Sequence, residues 1–158
     1  NIAAPRFRDA GITVVWRRML RASDRYFDWG RDIAILSEYG MPPYMQLYNE
    51  PSLHAEWDEG SPDTDEYLSD FLHAAQEVYN AGGYVGLQYV REDWLVDALD
   101  ALKQHGGERI FERMVFIPHP YGLNHPPEYD RDVNAVLGFL PYAAVFEREI
   151  GFVPPMIG

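Results

Sequence analysis

The sequence predicts an α/β fold on a parallel sheet, and three observations carry that prediction. Short apolar runs of strand length alternate with longer amphipathic stretches, at about 30 to 40 residues per unit. The runs are too continuously apolar for half-solvated strands, so the sheet is expected to be covered on both faces. None of them is followed by the glycine-rich phosphate loop that a doubly wound sheet would call for. Together these point to a TIM (β/α)8 barrel. A full barrel typically needs about 250 residues, whereas this chain has 158. The expectation is therefore a partial barrel of about five strand–helix units.

The elements follow in order. Ile12–Met19 (ITVVWRRM) reads as the first strand and Phe27–Tyr39 as a helix ended by Gly40. Pro43–Tyr48 (PYMQLY) reads as the second strand. Asp63–Asn80 is a helix with Tyr67, Leu68, Phe71, Leu72, Ala75 and Val78 on one face. Acidic residues crowd its first turn, where the helix dipole favours them, and Gly82-Gly83 ends it. Tyr84–Val90 (YVGLQYV) is the third strand. Glu92–His105 repeats the helical scheme with Trp94, Leu95, Ala98, Leu99 and Leu102 and stops at Gly106-Gly107. Met114–His119 (MVFIPH) is the fourth strand. Asp130–Glu149 reads as one or two helices interrupted by Pro141, and Phe152–Ile157 (FVPPMI) as a fifth strand.

Composition narrows the function classes. Thirteen basic residues against twenty-five acidic leave a net charge of −12, which repels phosphate backbones and anionic lipid, so no nucleic-acid or membrane partner is expected. No run approaches the roughly 18 uncharged apolar residues of a membrane span. The absence of cysteine removes thiolate metal sites, iron–sulfur clusters and cysteine nucleophiles. It leaves the compartment open between secreted and cytoplasmic. His54, His73, His105 and His125 share no ligand spacing with carboxylates, so neither a metal nor another cofactor is expected. The acidic cluster Asp58, Glu59, Asp63, Asp65 and Glu66 reads as a solvated loop and helix start.

In a barrel the reacting groups lie at the carboxyl ends of the strands. Here those ends carry Trp16-Arg17-Arg18, Tyr48-Asn49-Glu50-Pro51, Gln88-Tyr89 and His119-Pro120-Tyr121. Glu50 is the leading catalytic candidate. A carboxyl at the end of an apolar strand is partly desolvated, which favours the protonated form that a general acid needs. Asn49 beside it is placed to hydrogen-bond a substrate hydroxyl, and Pro51 halts the ladder. Of Arg17 and Arg18, one is expected at the site and the other toward a helix. Trp57 is either a sugar-stacking platform or a cover for the rim, and Tyr89 either points into the cleft or packs in the core.

The stretch Gln46-Leu47-Tyr48-Asn49-Glu50-Pro51 resembles the Asn-Glu-Pro signature at the end of strand four in clan A glycoside hydrolases. Two strands on, Ile117-Pro118-His119-Pro120-Tyr121 resembles the His-x-Tyr element of strand six in the family 5 cellulase and mannanase group. The resemblance implies a retaining glycosidase acting on a β-glycan or β-glycoside. In it Glu50 is the general acid/base, Asn49 holds the sugar 2-hydroxyl, and His119 and Tyr121 line the cleft, the tyrosine supporting the nucleophile. Arg17, Trp57 and Tyr89 complete the expected carbohydrate-binding set. The resemblance also implies that residues 1–158 form a single domain, the central part of a barrel from strand three to strand seven. On that count the nucleophilic glutamate lies beyond Gly158, and the chain alone is expected to be inactive. Two rivals stand beside this reading. One is a carbohydrate-binding barrel that has lost the nucleophile. The other is an unrelated barrel enzyme such as an aldolase or a metal-dependent hydrolase, which needs a Schiff-base lysine or a cluster of histidine ligands; the aldolase is disfavoured because the only lysine, Lys103, lies in a helix.

Overall fold

The computed structural model describes residues 3–122, 125–131 and 135–158. At its centre four parallel strands lie side by side in chain order: β1 (Val15–Arg17), β2 (Tyr44–Gln46), β3 (Tyr84–Leu87) and β4 (Met114–Phe116). One line of register crosses the whole sheet, from Arg17 to Gln46, Gly86 and Val115. Helix α1 (Ala3–Asp9) precedes β1. Helices α2 (Trp29–Glu38), α3 (Thr64–Asn80) and α4 (Glu92–Gln104) connect successive strands, and α5 (Leu140–Ile150) follows β4. Neighbouring helices touch in the same order as the strands. The chain is thus mixed α/β on a parallel sheet.

The helices form where periodicity and capping agree. In α3 the Asp63 carboxylate accepts the N–H groups of Asp65 at 3.0 Å and Glu66 at 3.1 Å, satisfying donors that the helix start leaves unpaired. Its buried face, Tyr67, Phe71, Ala74, Ala75 and Val78, meets Val85 and Leu87 of β3 in the core, together with Trp94, Leu95, Ala98 and Leu99 of α4. That face also buries Asp70, which accepts from the Arg25 Nε at 2.5 Å and so ties the segment before α2 to α3.

The expected strands are shorter than their apolar runs. Ile12 and Met19 lie outside β1 and are exposed. The run Phe152–Ile157 forms no strand; it makes a single parallel bridge, Met156 to Phe116. Phe116 donates its N–H to the Pro155 carbonyl and accepts from the Ile157 N–H, each at 2.9 Å. Two successive prolines, Pro154 and Pro155, remove the donors that a longer ladder needs. The expected interruption at Pro141 is instead a beginning. Proline fits the first turn, whose N–H groups have no partner in the helix, and α5 opens there. Residues 132–134, inside the helical stretch expected over Asp130–Glu149, lie outside the described residues. Gly86 is required by close approach: a Cβ there would meet the Met45 carbonyl oxygen and Ile117 Cδ1, each at 2.7 Å.

The core is unusually aromatic around Tyr67. Its ring lies 5.5 Å from Tyr48, 5.7 Å from Phe71 and 5.4 Å from Trp94, and its hydroxyl is 2.6 Å from that of Tyr89. Burial pushes the phenols of Tyr48, Tyr67 and Tyr89 above the ordinary tyrosine value. Unfolding returns them to about 10. The neutral phenols therefore contribute stability that is fully present below about pH 10 and is lost as pH rises toward the folded-state values. Melting temperature is expected to fall above that pH, with part of the phenolate absorbance appearing only with the unfolding transition. In folded protein, a phenolate absorbance that titrates in full with the ordinary midpoint would contradict the buried cluster.

Candidate active site

Each of the four parallel strands delivers polar side chains at its carboxyl end. Arg17 is the last residue of β1 and Asn49 and Glu50 follow β2, while Gln88 follows β3 and His119 and Tyr121 follow β4. Glu50 is the centre. One of its carboxylate oxygens, Oε1, accepts from the Tyr121 hydroxyl at 3.0 Å and lies 3.1 Å from His119 Nδ1. The hydroxyl and Nδ1 are themselves 3.2 Å apart, so the three groups close a triangle. The Glu50 side chain is 12% exposed and the His119 side chain 22%.

The backbone at Glu50 is unusual. Its φ is +41°, the one left-handed non-glycine residue among those described. Such conformations cost of order 1–3 kcal/mol and persist only where surrounding contacts enforce them. Two contacts do so here. The buried Gln88 side chain accepts the Glu50 N–H through Oε1 at 2.5 Å, and the Glu50 carbonyl accepts from Leu53 N–H at 2.9 Å, turning the chain into the short helical turn His54–Glu56.

Asn49 is held on both sides. Its Oδ1 accepts from Arg17 Nη1 at 2.5 Å and Gln46 Nε2 at 3.3 Å, while its Nδ2 donates to Glu56 Oε1 at 2.8 Å. Charged partners at both ends fix which way round the amide lies and leave one Nδ2 hydrogen uncommitted. Of the arginine pair, Arg17 faces this site and Arg18 turns to α2, where it binds the Asp32 carboxylate through two nitrogens. Burial, then the hydrogen bond to Glu50, raise the Tyr121 phenol above its ordinary value; the Glu50 and Glu56 charges add to this and Arg17 opposes it. The hydroxyl therefore remains a donor through the neutral range.

Two expected site residues are elsewhere. Tyr89 is 2% exposed and its hydroxyl is committed to Tyr67. Adjacent residues of an extended strand point to opposite faces, and here Gln88 reaches Glu50 while Tyr89 goes to α3 and α4. Trp57 offers no open face for stacking. It is 7% exposed and its indole N–H donates to the Pro51 carbonyl at 2.8 Å, bracing the loop that carries Glu50. The tyrosine of the His-Pro-Tyr element also differs from expectation, because its hydroxyl partner is Glu50 itself. Glu56 and Gln88 were not singled out by the sequence reading. Gln88 stood at a recognised strand end, whereas Glu56 lies in a turn that no periodicity marks.

An open cleft of about 300 Å³ borders the site, lined by Pro118, His119, Pro120 and Tyr121. A larger one, about 570 Å³, lies between β1 and α2 and shares only Arg17 with the site, so its size does not mark it as the place of chemistry. No group of side chains able to hold a metal ion, and no helix long and apolar enough to cross a membrane, occurs among the described residues. No family model, curated protein or solved structure matches the chain.

Proposed function

We propose that the protein is a retaining glycoside hydrolase acting on β-linked glycans or glycosides, with Glu50 as general acid/base. The observation that carries this reading is the Glu50–His119–Tyr121 triangle. Two short motifs about 70 residues apart in sequence each resemble an element of one enzyme clan, and their polar side chains meet at a single carboxylate oxygen. The architecture gives further support. Strands in unbroken chain order, with helices touching in the same order, are what an arc of a (β/α)8 barrel would display, and in such a barrel the reacting groups gather at the carboxyl ends.

In this reading Glu50 protonates the leaving glycosidic oxygen and then deprotonates the water that resolves the glycosyl–enzyme. Asn49 offers its remaining Nδ2 hydrogen to the sugar 2-hydroxyl, with Arg17 and Glu56 holding the amide in place. Retention requires a second carboxylate about 5–5.5 Å from the first. In the clan that the two motifs resemble, that second carboxylate is a glutamate at the end of strand seven. His119 and Tyr121 aim the Glu50 carboxyl and shape the subsite.

Tyr121→Phe tests the triangle with little risk to the fold, because the residue lies at the surface and only its hydroxyl is removed. A hydrogen bond to a charged group is worth about 1.5–3 kcal/mol, so kcat/KM for a β-glycoside is expected to fall by that equivalent with an unchanged unfolding midpoint. Full activity in the variant would remove Tyr121 from the machinery.

A further inference from the structure

We infer that Gln88 is a positioning residue whose side-chain oxygen holds Glu50 in its left-handed conformation and thereby aims the carboxylate at His119 and Tyr121. The inference rests on Glu50 being the working acid, as proposed above. At the point where β2 ends, Leu47 N–H still finds the Gly86 carbonyl at 3.2 Å, but the chain then leaves the ladder. The Glu50 N–H would be a buried donor without a backbone acceptor. Gln88, on the neighbouring strand, supplies that acceptor from its side chain at 2.5 Å. The donor is a backbone N–H, so the atom facing it is the amide oxygen, and the Gln88 amide has only one possible orientation.

That orientation leaves Gln88 Nε2 buried with no partner among the described residues, on a side chain only 2% exposed. An unpaired buried donor is a cost that a purely apolar residue would avoid. Packing alone therefore gives no reason for glutamine here; the oxygen does. With it, the strained Glu50 backbone is pinned at its N–H, and the side chain leaves it in the direction that reaches Nδ1 of His119 and the hydroxyl of Tyr121. Without it, Glu50 is free to relax to an ordinary φ, and its carboxylate leaves the triangle.

The test compares Gln88→Met, similar in shape but without the oxygen, with Gln88→Glu, which restores an acceptor. In Gln88→Met, amide exchange at Glu50 is expected to accelerate about 10- to 100-fold, while the amides of Val85 and Phe116 keep their rates. The second readout is the ¹⁵N shift of His119 Nδ1. Glu50→Gln should move it in the otherwise unaltered protein but not in the Gln88→Met background, and a merely structural glutamine would leave that response intact. Gln88→Glu should restore the protection. In turnover, Gln88→Met should lower kcat with KM held. Should Gln88→Met not fold, the unaltered protein still decides the matter, through a scalar coupling across the hydrogen bond from Glu50 ¹⁵N to Gln88 ¹³Cδ. Unchanged Glu50 exchange, an intact His119 response or no such coupling would overturn the inference. Undiminished hydrolysis in Glu50→Gln would remove the proposed reaction, while the exchange and shift measurements would still judge the positioning.

Discussion

Glu50→Gln is expected to slow hydrolysis of unactivated β-glycosides by roughly 10²–10⁴-fold, the usual contribution of a positioned general acid. The substitution is nearly isosteric. The amide oxygen still accepts from Tyr121, so the triangle and the fold survive while the transferable proton is lost. The loss should depend on the leaving group. An aryl glycoside whose phenol departs without protonation should keep most of its rate in the first step, and an alkyl glycoside should not. Small, equal losses on both substrates would contradict the role, because they would indicate a contact made alike in ground and transition state.

The second large effect is on stability. Phe116 is fully buried at the end of β4, with its ring 4.9 Å from Tyr142 and 5.4 Å from Phe146 of α5. Its backbone is also the one that holds Pro155 and Ile157. Phe116→Ala should therefore cost about 3–5 kcal/mol, part from lost apolar burial and part from the cavity left behind. Against a typical net stability of about 5–15 kcal/mol that is a large fraction. The shift should be read from the urea midpoint at constant slope. His119 follows this strand by three residues, so the same variant should loosen the site. A loss below about 1 kcal/mol would mean that α5 is not anchored on this ring.

Elements were legible where two local signals coincide. Helices α3 and α4 pair a 3.6-residue apolar stripe with an end signal, Asp63 at one start and Gly106-Gly107 at the other end. Helix α1 has seven residues and a single buried side chain, Ala4, so it offers no stripe to find. The apolar runs are longer than the strands because a run records burial, whereas a ladder also needs paired N–H groups, which Pro154 and Pro155 lack. At the site, Arg17, Asn49, Glu50, His119 and Tyr121 were legible because strand ends name their positions before their chemistry is considered. Gln88 was missed in favour of Tyr89 by one residue. A period-2 pattern says that neighbours face opposite ways, but in a run buried on both sides it does not say which one faces the site. Trp57 was ambiguous for a different reason: its exposure depends on a turn, His54–Glu56, that has no periodic signature.

The most direct measurement of the central claim is the configuration of the product formed when Glu50→Ala turns over an activated β-glycoside in the presence of azide. With the acid/base carboxylate gone, a small anion can attack the glycosyl–enzyme without needing a base, so turnover should be rescued. Attack on a covalent intermediate inverts a centre that its formation had already inverted. The account predicts a β-glycosyl azide, of retained configuration. An α-glycosyl azide would make Glu50 the nucleophile instead, and no azide product together with undiminished hydrolysis would remove it from the reaction.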